Sequence, residues 1–292
     1  MLFNFQMKRF IHPVSCVLLL CALLACGQKQ QKKSVSSPRG YDLGAPQVMK
    51  MPAALREISG ITFVEGDPST ILAEQDEDGI LFLYHQRSGT SDKFRFGKKG
   101  DYEDVTFYKG RTYVLRSDGT ILCFRFDRGL RPTKPVELDG LVPKGEYEGL
   151  FADDSMERMY VLCKECPDDK KSGSATVHIL SIARDGSLYK NETRTISLDK
   201  VPALKKGKKF NLRPSALAKS PSSGDWYILS SVNKVLLVAD EEFSVREVYK
   251  LDPSVFPQPE GIAFDNMSNL YISSEGSDQE PSTILRFDKK AK

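Results

Sequence analysis

The sequence predicts an all-β protein, a five-bladed β-propeller whose four-stranded antiparallel blades are closed into a ring by an N-terminal strand. The first observation behind this prediction is a pattern that occurs five times. The second is a series of turns rich in Gly, Asp and Ser at intervals of about 8 to 12 residues, with no amphipathic stretch of helical length between them. The repeats open on ISGITF, YEDVTF, YEGLFAD, PSALAKS and PEGIAFD, which begin at Ile58, Tyr102, Tyr147, Pro214 and Pro259.

The repeat has a nearly constant period. Aligned on Ser59, Glu103, Glu148, Ser215 and Glu260, the units are separated by 44, 45, 67 and 45 residues. The long step contains a polar insertion at 167–174 and a basic loop at 205–209, and removing about twenty such loop residues restores the period.

Each unit contains three further strand patterns after its opening. The second strands begin at Thr70, Arg111, Arg158, Asp225 and Asn269. The third strands begin at Ile80, Thr120, Thr176, Lys234 and Ser282. A fourth strand then leads outward, as in the segment 243–251, and four antiparallel strands in about 45 residues match the size of a propeller blade.

The fifth unit lacks its fourth strand, because the sequence ends soon after the third. Residues 41–51 precede the first unit, and we expect them to supply the missing strand. Closing the ring in this way removes exposed sheet edges, which would otherwise favour aggregation. The predicted propeller therefore covers residues 41–292, with blades that open near residues 58, 102, 147, 214 and 259.

Residues 1–25 have the layout of a secretory signal, with basic residues before an apolar run too short to span a bilayer. The run ends in LLACG, which resembles the bacterial lipobox and predicts that Cys26 carries the lipid. An ordinary cleaved signal with a chance cysteine is the alternative. Residues 26–40, rich in Gln, Lys and Ser, are predicted to form a flexible tether. We therefore expect a lipoprotein of a Gram-negative cell envelope, anchored to a membrane and facing the periplasm or the outside.

The charge distribution argues against a nucleic-acid partner. The chain has 42 basic and 39 acidic residues, but six of the basic residues and none of the acidic ones lie within residues 1–40. The remainder is mildly acidic, which argues against nucleic-acid binding because phosphate binding requires a basic face. We expect a monomeric domain whose partner is a protein, a glycan or a small molecule.

Cys163 and Cys166 form a C-x-x-C motif, but no second pair of ligands for zinc occurs at a suitable spacing. In an oxidising compartment the two thiols either form a tight local disulfide or remain inert. The motif follows a strand pattern instead of opening a helix, which argues against thioredoxin-like redox chemistry.

The openings of the EGIAF type, seen most completely from Glu260, resemble those of the SdiA-regulated, or YjiK-like, family of five-bladed propellers, which is distantly similar to NHL-repeat propellers. The resemblance covers about residues 41–292. It implies calcium bound on the propeller. The fourth unit departs from the pattern, because Pro214-Ser215-Ala216 contains neither the acid nor the glycine.

Glu103, Glu148 and Glu260 occupy the same position in three openings, so the symmetry of the ring places them around one channel entrance. Carboxylates gathered in this way raise one another's pKa unless a cation intervenes, and calcium accepts six to eight oxygen ligands in irregular geometry. Glu165 and Glu275 follow second strands and are predicted to reach the same rim. The five glutamates form the predicted calcium site.

Three features of the sequence also have a purely structural interpretation. The glutamates could instead cap backbone amides or pair with Arg56, Arg116 and Arg213. The acidic turn 76–79 lacks the distal ligands of an EF-hand and is read as a solvated turn. The basic loop 205–209 is either a site for an anionic ligand or a solvated loop.

No catalytic residue is predicted, because the sequence contains no H-E-x-x-H, G-x-S-x-G, P-loop or G-x-G-x-x-G motif. Two functions remain, and the favoured one is a calcium-containing binding module. The alternative is a hydrolase that uses the same carboxylates, either a metal-dependent esterase or phosphatase or a glycosidase. Trp226, the single tryptophan, lies in a strand pattern suited to packing, which leaves little aromatic surface for sugar binding.

Overall fold

The computed structural model describes residue 1 and residues 35–127, 131–167, 169, 173–201 and 210–290. Cys26, the predicted signal peptide apart from Met1, residues 26–34 of the predicted tether and the basic loop 205–209 lie outside the described residues. From Val35 onward the chain forms one compact unit.

The described residues form five antiparallel sheets of four strands each, which confirms the predicted all-β propeller. The N-terminal strand is β1 (Gln47–Lys50). Blade one contains β2 (Ile58–Phe63), β3 (Thr70–Gln75), β4 (Asp78–His85) and β5 (Thr90–Lys99). Blade two contains β6 (Tyr102–Tyr108), β7 (Arg111–Arg116), β8 (Ile121–Phe124) and β9 (Val136–Leu138).

The remaining blades follow the same order along the chain. Blade three contains β10 (Glu146–Asp153), β11 (Arg158–Glu165), β12 (Ala175–Ile182) and β13 (Leu188–Ile196). Blade four contains β14 (Ala216–Lys219), β15 (Trp226–Ser230), β16 (Val235–Ala239) and β17 (Val245–Lys250). Blade five contains β18 (Pro259–Phe264), β19 (Leu270–Ser274) and β20 (Thr283–Phe287), with β1 as its fourth strand.

Short 3-10 helices occur at Ala53–Leu55 and Val64–Gly66. No helix within the described ranges combines the length and the apolar character needed to cross a bilayer.

Burial explains why the middle strands of each blade have apolar sequences. Every residue of β15, β16 and β19 is buried, because both faces of these strands pack against neighbouring blades. The outer strands β5 and β13 instead mix exposed and partly buried residues, as expected for strands with one face in water. The core therefore lies between the blades, where each sheet covers the next.

The N-terminal segment closes the ring as predicted. β1 pairs antiparallel with β20, with Gln47 opposite Arg286 and Lys50 opposite Thr283. Just before β1, Tyr41 and Leu43 are 6% and 1% exposed and pack in the core cluster that blades four and five share. The Tyr41 hydroxyl donates a hydrogen bond to the Ser268 carbonyl at 2.6 Å.

Side-chain hydrogen bonds connect the first strands of adjacent blades. The hydroxyl of Ser59 donates to the Glu103 carbonyl at 2.6 Å, and that of Ser215 donates to the Pro259 carbonyl at 3.1 Å. Ser59 and Ser215 occupy the position at which the other blades carry glutamate. Two of the five openings therefore bind the next blade, while the other three present a carboxyl group.

Candidate cation site at the channel entrance

The repeated openings contain a feature that the sequence did not reveal. A register shift of the β-bulge type occurs at the start of the first strand in four blades, next to Gly60, Glu103, Glu148 and Glu260. A bulge inserts an extra residue and redirects its side chain. The turns between second and third strands lie at the same end of the blades, because all strands are antiparallel. We call this end of the channel the entrance.

The structure brings Glu103, Glu148 and Glu260 together at the entrance. Burial and then repulsion from Glu148 raise the pKa of Glu103 to about 9. Burial is also the largest cause that raises the pKa of Glu148 to about 7 and the pKa of Glu260 above its ordinary value. Glu260 adds to the repulsion felt by both other glutamates. The three side chains thus share one strongly negative environment.

Lys164 is the basic side chain in contact with this group. Its ammonium lies 2.5 Å from a carboxylate oxygen of Glu148 and 3.3 Å from one of Glu146. Burial alone would lower the pKa of Lys164, but Glu148, Glu146 and Glu103 raise it overall. The ammonium therefore remains charged and offsets part of the negative charge.

Glu165, the residue after Lys164, forms an ion pair with Arg213. This is one of the pairings that the sequence offered as an alternative to a metal site. Successive side chains of a strand point to opposite faces, so Lys164 and Glu165 at the end of β11 lie on different faces and have different partners. No close group of metal-ligand atoms in the described residues includes Glu165.

Glu275 lies in a second acidic group, with Glu57 and Asp76. One carboxylate oxygen from each residue lies within 4.8 Å of the other two. Burial and then repulsion from Glu260 raise the pKa of Glu275 to about 8, while burial and then repulsion from Glu57 raise the pKa of Asp76 to about 6. The Oδ1 atom of Asp76 is buried and has no hydrogen-bond partner in the described structure. We call these three residues the acidic triad.

The acidic triad lies where the ring closes. Glu57 precedes β2, Asp76 lies between β3 and β4, and Glu275 follows β19. Backbone hydrogen bonds hold these segments together, since the Asp76 amide donates to the Glu57 carbonyl at 3.2 Å and the Gly276 amide donates to the Arg56 carbonyl at 2.9 Å. The triad therefore connects blade five to blade one.

The donor set of the triad fits a hard cation. All its ligand atoms are carboxylate oxygens, which calcium prefers, and they include the unpartnered oxygen of Asp76. Glu103, Glu148 and Glu260 do not form such a close group, although they add to the negative potential around it. The other close group among the described residues contains Cys163, Cys166 and Asp169, but its sulfur atoms are joined in a disulfide and cannot act as thiolate ligands.

Three of these residues are not predicted from the sequence. The turn at 76–79 is predicted to be solvated, but in the structure Asp76 is half-buried beside Glu57 and Glu275. Glu57 precedes the repeat unit, so the alignment of openings gave no signal for it. The sequence indicates Lys164 only weakly, since it lies near the end of a second strand, close to the position at which Glu275 follows β19.

Two further carboxyl groups are wholly buried in the first blades. Glu74 accepts a hydrogen bond from the Gly60 amide at 2.6 Å, and Asp104 accepts one from the Leu150 amide at 2.7 Å. Burial raises the pKa of both groups well above the ordinary range. Their contacts are with backbone amides of first strands, so they support the bulges that shape the entrance.

Comparisons with known proteins identify the family and the fold. The model of the SdiA-regulated family matches residues 47–278. No curated protein matches the sequence.

Three solved propellers have a similar fold. The calcium-binding protein regucalcin from Agrobacterium tumefaciens is 13% identical, with a TM-score of 0.52, and the match covers 85% of this chain and 95% of that one. The PQQ-bound aldose sugar dehydrogenase from Streptomyces coelicolor is 12% identical, with a TM-score of 0.54 and coverage of 84% and 98%. A glucose dehydrogenase is 13% identical, with a TM-score of 0.52 and coverage of 82% and 99%. At these identities the similarity extends to the fold alone.

Proposed function

The chain belongs to the SdiA-regulated family, and we propose that it is a calcium-dependent binding module, held to a membrane of the cell envelope by a lipid on Cys26. Its entrance binds calcium and presents the ion, with the surrounding loops, to a protein, a glycan or a small molecule. The acidic triad supplies the closest ligands, and Glu103, Glu148 and Glu260 supply negative potential.

The observation that carries this proposal is the concentration of carboxyl groups at the entrance. Four of them have pKa values raised to between about 6 and about 9, so ionising them together costs free energy. A divalent cation removes that cost, because it favours the ionised form of every carboxylate that it contacts. Regucalcin, a calcium-binding protein, demonstrates that a propeller of this general fold can bind calcium.

Isothermal titration calorimetry at pH 8 tests the calcium site. We expect one site with a dissociation constant of about 0.1 to 1 mM, the range of extracellular calcium modules. Asp76→Asn removes the charge of one triad ligand and should weaken binding at least tenfold. The control is Glu241→Gln, which removes one exposed charge in the turn between β16 and β17, at the opposite end of the blades. Equal affinity in the wild type and Asp76→Asn would contradict the proposed site.

The lipid anchor is tested separately. Cys26→Ser should leave a protein that is neither acylated nor retained in the detergent phase, because the thiol that accepts the lipid is gone. Metabolic labelling with a fatty acid and Triton X-114 partitioning measure the two outcomes. Label that persists on Cys26→Ser would place the lipid at another residue.

One observation favours hydrolysis as a second candidate function. A Glu103 carboxyl with a pKa of about 9 holds its proton at neutral pH, as a general acid must, and it lies beside the partly ionised Glu148. Screening chromogenic esters, phosphates and glycosides with the wild type and Glu103→Gln tests this function. Turnover by the wild type that Glu103→Gln abolishes would support hydrolysis. If the wild type turns over none of these substrates in the presence of calcium, hydrolysis is contradicted and the binding module remains as the function.

A further inference from the structure

Lys164 is the only cation in the described part of the chain within ion-pair distance of Glu103, Glu148 or Glu260. Its side chain is 21% exposed, and that of Glu148 is 6% exposed, so the 2.5 Å contact is largely shielded from water. The ammonium occupies the kind of position that a bound cation would take among these carboxylates. Lys164 is thus an internal counter-ion of the entrance.

The disulfide between Cys163 and Cys166 encloses Lys164 and Glu165. Cys163 lies on β11 opposite Tyr147, next to the bulge that contains Glu148. The two sulfur atoms pack against Gly145, where an added Cβ atom would lie 3.0 Å from the Cys166 sulfur and 3.3 Å from the Cys163 sulfur. The disulfide therefore packs the end of β11 against the start of β10, which carries Glu146 and Glu148.

Contacts with neighbouring residues also restrict the segment 163–166. Glu165 is held by Arg213, which belongs to the connection into blade four. The Cys163 sulfur lies 3.4 Å from the Glu146 carbonyl oxygen, and the Cys166 sulfur lies 3.8 Å from the Tyr147 hydroxyl. Because the disulfide, the ion pair and the strand all act on four consecutive residues, the Lys164 ammonium has little freedom to leave Glu148.

We infer that Lys164 sets the affinity of the entrance for cations, and that the Cys163–Cys166 disulfide positions its ammonium for this role. This inference rests on the proposed function in so far as the competing cation is calcium. The ammonium repels a divalent ion and neutralises part of the negative charge that Glu148 contributes to the entrance. Freeing or removing the ammonium therefore strengthens calcium binding.

A small cavity borders the disulfide on the side of Cys166. Its volume is about 150 Å³, and its lining includes Cys166, Lys164 and Arg213. A dithiol attacks Cys166 through one thiolate, the Cys163–Cys166 bond breaks, and the second thiol of the reductant displaces Cys166. The reductant leaves as a disulfide, and two electrons and two protons convert the cysteines to two thiols. Reduction opens the ring that holds Lys164.

The first test measures the position of Lys164 without calcium. The full chain is acetylated with an N-hydroxysuccinimide ester before and after reduction by dithiothreitol, and the modification rate of each lysine is followed by mass spectrometry. We expect Lys164 to react about tenfold faster in the reduced protein, because its amine leaves the ion pair. Lys250, an exposed residue at the end of β17, is the internal control. An unchanged rate at Lys164, with both thiols shown to be free, would overturn the role of the disulfide.

The second test measures calcium affinity in three variants by calorimetry. Lys164→Met removes the charge and should tighten binding about three- to tenfold, the effect expected when one charge is removed from a partly buried cluster. Lys164→Arg keeps the charge and should bind calcium as the wild type does. Cys163→Ser with Cys166→Ser should shift the affinity in the same direction as Lys164→Met.

The two tests separate failure of this inference from failure of the proposed function. Wild-type calcium binding with unchanged affinity in Lys164→Met would overturn the role of Lys164 alone. Absence of calcium binding in every variant would overturn the proposed function and the effect of Lys164 on calcium. The acetylation rates would then still decide whether the disulfide positions the ammonium.

Discussion

Deletion of residues 41–51 is expected to abolish cooperative unfolding of the propeller. The deletion removes β1, which leaves the edge of β20 unpaired, and it removes Tyr41 and Leu43 from the core between blades four and five. Truncating one buried leucine alone costs about 2 to 5 kcal/mol. The total loss therefore approaches the whole stability of a typical domain, which is about 5 to 15 kcal/mol.

Thermal and urea unfolding followed by circular dichroism measure this effect. A deletion of residues 28–33, within the predicted tether, is the matched control and should unfold as the wild type does. The double substitution Tyr41→Ala with Leu43→Ala should give a large part of the loss without shortening β1. A protein that lacks residues 41–51 and still unfolds at the wild-type midpoint would show that the N-terminal strand does not close the ring.

In the absence of divalent cations, the stability of the propeller is expected to fall as the pH rises from 5 to 9. The pKa values of Asp76, Glu148, Glu275 and Glu103 are about 6, 7, 8 and 9 in the folded protein. They are about 4 in the unfolded chain. The folded state therefore binds more protons in this range, and the free energy of unfolding falls by about 1.4 kcal/mol per pH unit for each proton of difference. Half-buried Asp76 contributes less because solvent screens its charge.

A fall in stability with rising pH is the sign expected from carboxyl groups whose pKa values are raised, as those of the entrance are. Carboxyl groups that cap turns, such as Asp67 and Asp118, have lowered pKa values, so their contribution is lost only at pH values below the range considered. His178, whose pKa is lowered by burial, acts in the opposite direction, and only at pH values below the ordinary histidine pKa of about 6.5. If the free energy of unfolding instead rises from pH 5 to pH 9, the pKa values of the entrance carboxyl groups are not raised.

Chemical denaturation at several pH values in EDTA gives the slope, and two additions test its origin. Glu148→Gln should flatten the slope between pH 6 and pH 8, whereas Glu241→Gln should not. Calcium at a hundredfold excess over its dissociation constant should add about 2.7 kcal/mol at pH 8. That gain should fade toward pH 5, because protons compete for the same oxygens.

The sequence was sufficient to predict the blades because the turns, the short apolar runs and the spacing of the repeats all indicated the same arrangement of strands. Turns such as the one before β4 separate short apolar runs, and the openings recur at the spacing of one blade. The closure by β1 followed from the missing strand of blade five. These features depend on local sequence and on counting strands, both of which one sequence provides.

The site was harder to predict, because its geometry depends on the register of strand pairing and on contacts between blades. The bulge at Glu148 shifts the pairing of β10 with β11, and a shift of one residue decides whether Lys164 or Glu165 lies on the face that meets Glu148. Glu57 and Glu275 meet only because the ring closes, since they are far apart in the chain. A repeat alignment identifies equivalent residues such as Glu103 and Glu260, but it cannot identify ligands that come from outside the repeat.

The most direct measurement of the central claim is an anomalous difference map from crystals grown with millimolar calcium at pH 8. We predict one peak at the entrance, with carboxylate oxygens of Glu57, Asp76 and Glu275 at about 2.3 to 2.6 Å, the usual range for calcium ligands. The same crystals of Asp76→Asn should lack the peak. A map from calcium-containing crystals of the wild type with no peak at the entrance, or with calcium bound only elsewhere on the propeller, would contradict the account.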